Sequence, residues 1–421
     1  MAARRREASR VGDPGLPEDQ ALAPQPTLMA PPPPQPPPYL AEDLVEEILL
    51  RFPPTEPATL FRAALVCKHW CRLISAPGFR RRFRERHRTP PMLGFLYRGF
   101  ADHGVVNGFV PTAAAFCSPR AESRSCGAID ARHGRILLQW PEEHSGTDDI
   151  ALGVWDPITG VKRKLPHLAR NSSRWNAAVL CFAAAGDCDH LDCHRGPFLV
   201  VVVGTNDIGG TFIRTCSSDV AASWSEPIFS QQQTRDCVDP LMRSALTGNA
   251  LYFGFVANKV LRYDLELRES SFVELPSGHS NLGLRVLTTT EEGGLGLATA
   301  HGNTIYMWSR NDDGRQEDFG WRRNRVIELE TLLHSYAILT LPYVVGFAEG
   351  IGIIFVRASN VLFSIDLKTC KVEKVCKGRG IRAVVPYMSF YTPGLSVQLC
   401  SVFGLKMFGT SNILAANMKF A

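Results

Sequence analysis

Residues 248–253 read Gly-Asn-Ala-Leu-Tyr-Phe, and two more apolar runs follow, Val-Leu-Arg-Tyr-Asp-Leu at 260–265 and Val-Glu-Leu-Pro at 273–276. Glycine, asparagine and charged residues separate each run from the next. Short β-rich runs divided by turn residues are typical of antiparallel strands in an all-β domain. The unit therefore predicts three successive strands, the second of which ends at Asp264.

Two further copies of this unit lie on either side of it, within residues 133–166 and 350–375. In each copy an aspartate closes the second strand. These residues, Asp156 and Asp366, lie 108 and 102 residues from Asp264. Each interval matches two propeller blades of roughly 40–50 residues.

Degenerate versions of the unit fill the intervals, at residues 198–225 and 302–321. Residues 92–111 give a sixth unit, and Val384–Tyr387 supply a strand that would close the ring. Closure of this kind protects the edges of the sheets without one large core. We therefore predict a mainly β fold with a small helical N-terminal domain, in which a kelch-like propeller of six blades follows the helices. Seven blades is the alternative.

Ahead of these strands, residues 40–88 carry helical periodicity. Leu40, Leu44 and Ile48 recur every four residues, which places them on one face of a helix. Phe52 and the prolines after it end this helix, because proline cannot continue it. A module of this size buries little area and favours a partner.

Two more short helices are predicted in this module. Thr55 is the candidate N-cap of the second helix, and Ala76-Pro77-Gly78 ends the third. Their apolar residues are Leu60, Phe61, Leu65, Val66, Trp70, Leu73 and Ile74.

Residues 40–53 (LAEDLVEEILLRFP) resemble the opening of an F-box, and residues 66–75 (VCKHWCRLIS) resemble its close. The leucine stripe, the proline and the Val-Cys-Lys-x-Trp cluster stand at the separations expected of this family. Two positions depart from the pattern, since Ala41 replaces a proline and Phe52 replaces a leucine. Both changes are expected to weaken adaptor affinity modestly.

The later part of the chain is similar to a large group of plant, especially grass, F-box proteins, in which an associated propeller follows the F-box. The segments that carry this resemblance are Ala131–Arg135, Val154–Gly160 and Val385–Pro393. It spans about residues 40–395. The domain plan is a disordered proline-rich leader at 1–38, a three-helix F-box at 39–88, a propeller at 90–403 and a divergent tail at 404–421.

The resemblance implies the substrate receptor of a ubiquitin ligase. The F-box would bind a Skp-type adaptor and, through it, cullin, while the propeller would bind an unknown target protein. Catalysis then belongs to other subunits, so no catalytic residue and no cofactor is expected. The implied adaptor contacts are Leu40, Leu44, Ile48, Phe52, Pro53, Leu60, Val66, Cys67 and Trp70. The residues assigned mostly to the module's own core are Leu49, Leu65, Leu73 and Ile74.

Two other functions remain open at this stage. A propeller scaffold that binds partners outside a ligase is favoured by the departures at Ala41 and Phe52. A propeller enzyme would need metal ligands that converge from several blades, which sequence alone does not reveal.

Composition limits the partners and the location. The formal net charge of +5 over 421 residues does not imply nucleic acid. No stretch approaches the ~18 apolar residues of a membrane span, and the arginine-rich start lacks the apolar segment of a signal peptide. The 12 cysteines are scattered, which fits reduced thiols. We expect a protein of the cytoplasm, the nucleus or both.

Residues 188–194, Cys-Asp-His-Leu-Asp-Cys-His, place two thiols and two imidazoles close together, and both are zinc ligands. Structural zinc sites usually combine two ligand pairs across a folded loop, and no second pair is apparent in the sequence. The pattern therefore favours a turn between blade strands. Zinc at Cys188, His190, Cys193 and His194 stays an open alternative.

Three other features receive structural interpretations. The basic run at residues 80–88 is interpreted as a solvated helix leaving the F-box, because it lacks the interleaved aromatics of RNA-binding motifs. His133 precedes a glycine and is assigned to a turn. Target specificity is expected from long loops on a propeller face, with candidates at Pro141–Asp149, Asp187–Gly196 and Asn311–Gly320.

Overall fold

The structure is a computed structural model. It describes residues 41–101, 104–112, 126–140, 149–169, 174–183, 188–206, 208–219, 223–232, 234, 236–276, 285–310, 320–333, 341–377 and 380–393. From Asp43 onward the helices and strands form one compact unit. Leu40, the leader at 1–38 and the tail at 404–421 lie outside the described residues, as do most of the loop candidates at 141–149 and 311–320.

Helices open the described chain, and proline sets several of their boundaries. The second and fourth helices begin at a proline, a residue whose fixed φ suits the first helical position. The helices are α1 (Glu42–Leu50), α2 (Pro57–Val66), α3 (Lys68–Ser75), α4 (Pro77–His87) and the later, single-turn α5 (Leu329–Leu333). None of the described helices is long and apolar enough to cross a membrane.

Two helix starts differ from simple expectation. The N-cap of α2 is Glu56 rather than the predicted Thr55, and its side chain makes no capping hydrogen bond. At α3 the Cys67 sulfur caps the helix by accepting a hydrogen bond from the N–H of Trp70 at 3.4 Å. Residues 326–333 divide between a strand that continues to Glu328 and helix α5.

Six antiparallel sheets make up a six-bladed β-propeller. Blade 1 holds β1 (Met92–Ala101) and β2 (Gly104–Pro111); blade 2 holds β3 (Gly127–Arg132), β4 (Arg135–Gln139), β6 (Leu152–Trp155) and β7 (Lys162–Lys164), with β5 (Asp149–Ile150) and β8 (Leu168–Ala169) paired beside it. Blade 3 holds β9 (Arg174–Cys181), β10 (Phe198–Thr205), β11 (Thr211–Ser217) and β12 (Ile228–Phe229); blade 4 holds β13 (Ala245–Thr247), β14 (Ala250–Gly254), β15 (Lys259–Asp264) and β16 (Ser270–Glu274). Blade 5 holds β17 (Arg285–Thr289), β18 (Leu295–His301), β19 (Thr304–Arg310) and β20 (Trp321–Glu328); blade 6 holds β21 (Tyr343–Ala348), β22 (Ile353–Ala358), β23 (Val361–Asp366) and β24 (Val372–Lys377).

The last strand, β25 (Ile381–Met388), closes the ring. It pairs antiparallel with β1, with Val385 opposite Leu96 and Val384 opposite Tyr97, and so completes blade 1. The prediction that Val384–Tyr387 supply the closing strand is thereby confirmed, together with the count of six blades. Tyr387 is fully buried, and its hydroxyl donates to the carbonyl of Gly134 in blade 2 at 3.2 Å.

The apolar core of the propeller lies between blades rather than at one centre. Each pair of neighbouring blades shares a cluster of buried side chains, such as Val201 of blade 3 with Leu251 of blade 4. Equivalent clusters join the five other pairs, including blades 6 and 1 around Phe95 and Phe355. Because alternate residues of a strand face opposite sides, an inner blade strand packs on both neighbours.

The aspartates that marked the repeat hold the same turn in blades 2, 4 and 6. Oδ1 of Asp264 accepts hydrogen bonds from the backbone N–H groups of Glu266 and Leu267, at 3.1 and 3.0 Å. Asp156 and Asp366 bind the N–H groups two and three residues ahead in the same way. Such a turn is specified by a few consecutive residues, which explains why the repeat was visible in sequence.

Candidate functional site

Helices α1–α4 form a module with one apolar core. Leu49, Leu60, Ile74, Phe79 and Phe83 are fully buried and pack together. Three of these residues come from the predicted helices, but the two phenylalanines belong to α4. Phe79 and Phe83 stand four residues apart, a spacing that puts them on one helix face. The spacing of Phe79 and Phe83 was not recognised in the sequence because arginines surround both residues.

Four large apolar side chains of the module remain exposed. Leu44 and Ile48 of α1 are 55% and 47% exposed, while Leu65 and Val66 at the end of α2 are 53% and 65% exposed. In α1 the neighbours Val45 and Leu49 are buried, so the two faces of this helix are both apolar. A short helix with a filled core and a second apolar face is suited to bind another protein.

The predicted adaptor contacts differ in how exposed they are. Besides Leu44, Ile48 and Val66, the exposed ones are Pro53 and Cys67. Phe52 and Trp70 are half-buried against the module core.

Leu60 and Leu65 have the opposite burial to that expected of them. Leu60 is 1% exposed and offers no surface to a partner in this structure, whereas Leu65, assigned to the core, is exposed. Helix α2 is apolar along most of its length, so its sequence pattern does not define a single buried face.

Ion pairs join α4 to α1. Arg86 Nη1 lies 3.3 Å from Glu47 Oε1, and Arg82 pairs with Glu46. His87 Nε2 lies 3.0 Å from the carbonyl oxygen of Leu50. Exposed pairs of this kind contribute at most about 1 kcal/mol each. Most of the basic run is exposed, as expected of a solvated helix, and it also has intramolecular partners in α1.

The helical module also packs on the propeller. Phe83 meets Phe390, which follows β25, edge to face with 6.3 Å between ring centroids. Phe61 of α2 lies 5.0 Å from Tyr391. Arg84, a buried residue of α4, bonds through Nη1 to Asp192 Oδ2 at 2.5 Å. These contacts hold the module at the face where β25 ends and the β9–β10 connection lies.

The β9–β10 connection adds an apolar contact to this junction, because Leu191 packs against the module core. Sequence reasoning missed Phe390 and Tyr391 as module contacts. They are about 300 residues away from the helices in the chain, and periodicity reports only on neighbours.

Charged side chains cross-link the inner ends of three blades beside this junction. Arg243 Nε donates to Asp130 Oδ1 at 2.9 Å, and its Nη1 lies 3.3 Å from Glu349 Oε1. Arg132 pairs with the other oxygen of Asp130. Burial raises the pKa of Asp130, but the two guanidinium groups and the N–H of Val179 outweigh it and hold that pKa below its usual range. The network therefore ties blades 2, 4 and 6 together.

His133 has the turn role that its sequence context predicted. It lies between β3 and β4 with a φ of 53°. Its Nδ1 accepts a hydrogen bond from the N–H of Cys181 at 3.0 Å. Burial, with His190 and Arg132 nearby, lowers the pKa of His133 to about 3, so the ring is neutral near pH 7. A neutral ring in this position orders the start of the β9–β10 connection.

A cavity of about 250 Å³ opens between the module and the propeller. Its walls include Arg84, Arg132, His194, Arg243 and Glu349. The guanidinium and carboxylate groups on these walls are engaged with each other, as described above. The arrangement is suited to holding the module against the propeller.

Comparison with known proteins agrees with this geometry. The family model of the F-box domain matches residues 39–82. An F-box protein of Arabidopsis thaliana is 22% identical over 396 residues, which cover 82% of this chain and 87% of that protein. The matched segment contains α1, α2 and α3, and it carries all four exposed apolar residues.

Two solved bacterial structures share a distant likeness. A protein from Lactobacillus plantarum has a TM-score of 0.41 at 11% identity, covering 70% of this chain and 99% of its own. A Bacteroides thetaiotaomicron protein of unknown function has a TM-score of 0.37 at 11% identity, covering 64% of each chain. Likeness at this level does not bear on function.

Proposed function

We propose that this chain, an F-box protein with a six-bladed propeller, is the substrate-recognition subunit of a Skp–cullin–F-box ubiquitin ligase. The single observation that carries the proposal is the exposure of Leu44, Ile48, Leu65 and Val66 on a module whose core is already filled. These residues lie within the segment that matches the F-box family.

The exposed residues supply enough apolar area for a stable complex. Full burial of a leucine, isoleucine or valine side chain contributes about 1.5–3 kcal/mol. A few such anchors offset a large part of the free-energy cost of association. Phe52 and Trp70, half-buried at the edge of the module, extend the surface without leaving the core.

The chain's own contribution is proximity rather than catalysis. In this role the adaptor and cullin hold the ubiquitin-conjugating enzyme, and the propeller holds the target, which raises the effective concentration of one near the other. The contacts of Phe83 with Phe390 and of Arg84 with Asp192 fix the angle between the two binding parts. A fixed angle favours transfer because less orientational freedom is lost when the target binds.

The target is a protein that binds a propeller surface left uncovered by the helices. Loops that join strands are the parts of such a scaffold free to vary without loss of the fold. The same proposal places the chain in the cytoplasm, the nucleus or both.

Measurement of adaptor binding to the purified full chain tests the proposal. A recombinant Skp-type adaptor is titrated against the wild type and the double variant Leu44→Asp, Ile48→Asp. Two lost apolar contacts correspond to an affinity at least about 100-fold weaker. Leu267→Asp is the matched control, because Leu267 is at least as exposed but lies in a propeller turn of blade 4.

The outcomes separate the receptor function from the scaffold function that the sequence left open. Tight wild-type binding that the double variant loses and the control retains supports the receptor. If the wild type binds no Skp-type adaptor, the receptor proposal falls and the propeller acts as a scaffold outside the ligase.

A further inference from the structure

Three cysteines and one histidine converge where β9 leads into β10. Cys181 is the last residue of β9, while Cys188, His190 and Cys193 lie in the connection that follows. Their sulfur and ring nitrogen atoms all lie within 4.8 Å of one another. Among the described residues, this is the one group of three or more such side chains close enough to share a metal ion.

The group differs from the one suggested by the sequence. Cys181 replaces His194, which lies instead between two carboxylates, with Nδ1 3.7 Å from Asp156 and Nε2 3.4 Å from Asp192. The further ligand that was not apparent in the sequence is therefore Cys181, a strand residue. Because Cys181 ends β9, the ligands come from two separate stretches of the described chain, as in structural zinc sites.

One ligand pair already has the separation expected around a tetrahedral ion. Zinc–sulfur bonds of ~2.3 Å and zinc–nitrogen bonds of ~2.0–2.1 Å place a ligand sulfur and a ligand nitrogen about 3.6 Å apart. Cys193 Sγ lies 3.6 Å from His190 Nδ1. The backbone N–H of His190 donates to Cys188 Sγ at 3.4 Å, and a donor aimed at sulfur stabilises the thiolate form that binds metal.

Neighbouring side chains support the ligands from outside. Arg135, almost completely buried, donates through Nη2 to the carbonyls of Cys193 and Gly196, the latter at 2.6 Å. Its positive charge complements three thiolates and one zinc ion, which together carry a net negative charge. His133 stacks on the ring of His190, with centroids 4.0 Å apart and planes 9° apart, and it also binds the N–H of Cys181.

We propose that Cys181, Cys188, His190 and Cys193 bind one structural zinc ion. Three thiolates and an imidazole form a soft ligand set that zinc favours, and four protein ligands leave no open position for catalysis. The ion fastens the β9–β10 connection to the end of β9. Leu191 and Asp192 lie inside the fastened segment, so the ion also holds the surface on which α4 packs.

Elemental analysis of the full chain tests the site directly. The protein is purified under reducing conditions without chelators, and zinc is measured per chain. We expect one zinc ion for the wild type and a loss of at least tenfold in the double variant Cys188→Ser, Cys193→Ser. Cys216→Ser and Cys237→Ser are matched controls outside the cluster, and both should keep the ion.

Cobalt substitution provides a second measurement that needs no variant. Cobalt(II) bound by three thiolates and an imidazole gives sulfur-to-metal charge-transfer bands and the strong visible bands of a tetrahedral site. Wild-type protein exchanged into cobalt should show both, and added zinc should remove them. This reading stands even if the cysteine double variant does not fold.

Several results would overturn the site. They are wild-type protein without stoichiometric zinc after incubation with the ion under reducing conditions, an unchanged zinc content in the double variant, or a disulfide within the cluster in freshly reduced protein. Metal content is measured without adaptor, so failure of the receptor proposal and failure of this one are separate findings.

Discussion

The helical module packs its apolar side chains into one cluster and leaves four large ones exposed, whereas the propeller divides its core among six clusters that lie between neighbouring blades. The propeller ring closes on itself through β25, and its inner strands have a neighbour on each side. The helical module has no such closure. The difference indicates that the propeller completes its core by closing the ring, although single apolar side chains such as Leu267 and Phe229 stay exposed on it, while the module core takes in Phe390 from outside the helices.

The largest expected loss of stability comes from a substitution in the inner charge network of the propeller. Asp130→Ala removes the buried carboxylate that Arg132 and Arg243 share and leaves them only the more exposed Glu349, and loss of one partner from a buried pair costs about 3–5 kcal/mol. Urea unfolding of the full chain measures the change. Glu291→Ala is the control, since Glu291 is highly exposed and 3.9 Å from Lys368. Equal unfolding midpoints for the two variants would contradict the role given to the network.

The next prediction compares the two faces of α1. Leu49→Ala removes a fully buried side chain and should cost about 2–5 kcal/mol of the stability of the module. Leu44→Ala, in the same helix, should change the stability by less than about 0.5 kcal/mol. Hydrogen exchange of the amides in α1–α4 reads out both. Similar loss of protection in the two variants would mean that Leu44 belongs to the fold rather than to an interface.

A smaller effect is expected for the coupling energy between the module and the propeller. Edge-to-face aromatic pairs contribute about 0.5–1.5 kcal/mol beyond their buried area. A double-mutant cycle with Phe83→Leu and Phe390→Leu should give a coupling energy in that range. The same cycle with Phe83→Leu and Phe229→Leu should give none, because Phe229 is exposed on blade 3. A null result in the first cycle would show that the module is held by other contacts.

The smallest effect concerns the repeated aspartate turn. Hydrogen bonds from the N–H groups of Leu267 and Glu266, with Arg262 nearby, lower the pKa of Asp264. Asp264→Asn keeps an acceptor but removes the charge, so we expect a loss of about 0.5–1.5 kcal/mol near pH 7.

The sign of the pH dependence follows from that lowered pKa. The charged form stabilises the fold above the unfolded carboxyl pKa of ~3.9, and this contribution is lost as the pH falls through the lower folded value. The gap between wild type and Asp264→Asn should therefore narrow in acid. Urea midpoints measured across this range check it, and a gap that widens in acid would contradict the assignment.

The parts of the molecule that were predictable from sequence are the locally specified ones. The aspartate turns and the closing strand at 384–387 are encoded in consecutive residues. These local patterns were enough to predict the propeller. The division of α2 into buried Leu60 and exposed Leu65 was not predictable, because nearly every position in that helix is apolar. Cys181 was missed as a cluster member because its thiol meets the others only after β9 and β10 pair.

The position of β25 in the chain has a consequence for synthesis. Ribosomes translate residues 381–391 after every other described strand and helix, yet these residues complete blade 1 and place Phe390 in the core of the helical module. The nascent chain therefore exposes the F-box sequence long before either the ring or the module core is complete. A polypeptide truncated before residue 381 lacks the closing strand and the Phe390 contact, so the complete module core belongs to chains that have been translated past the whole propeller.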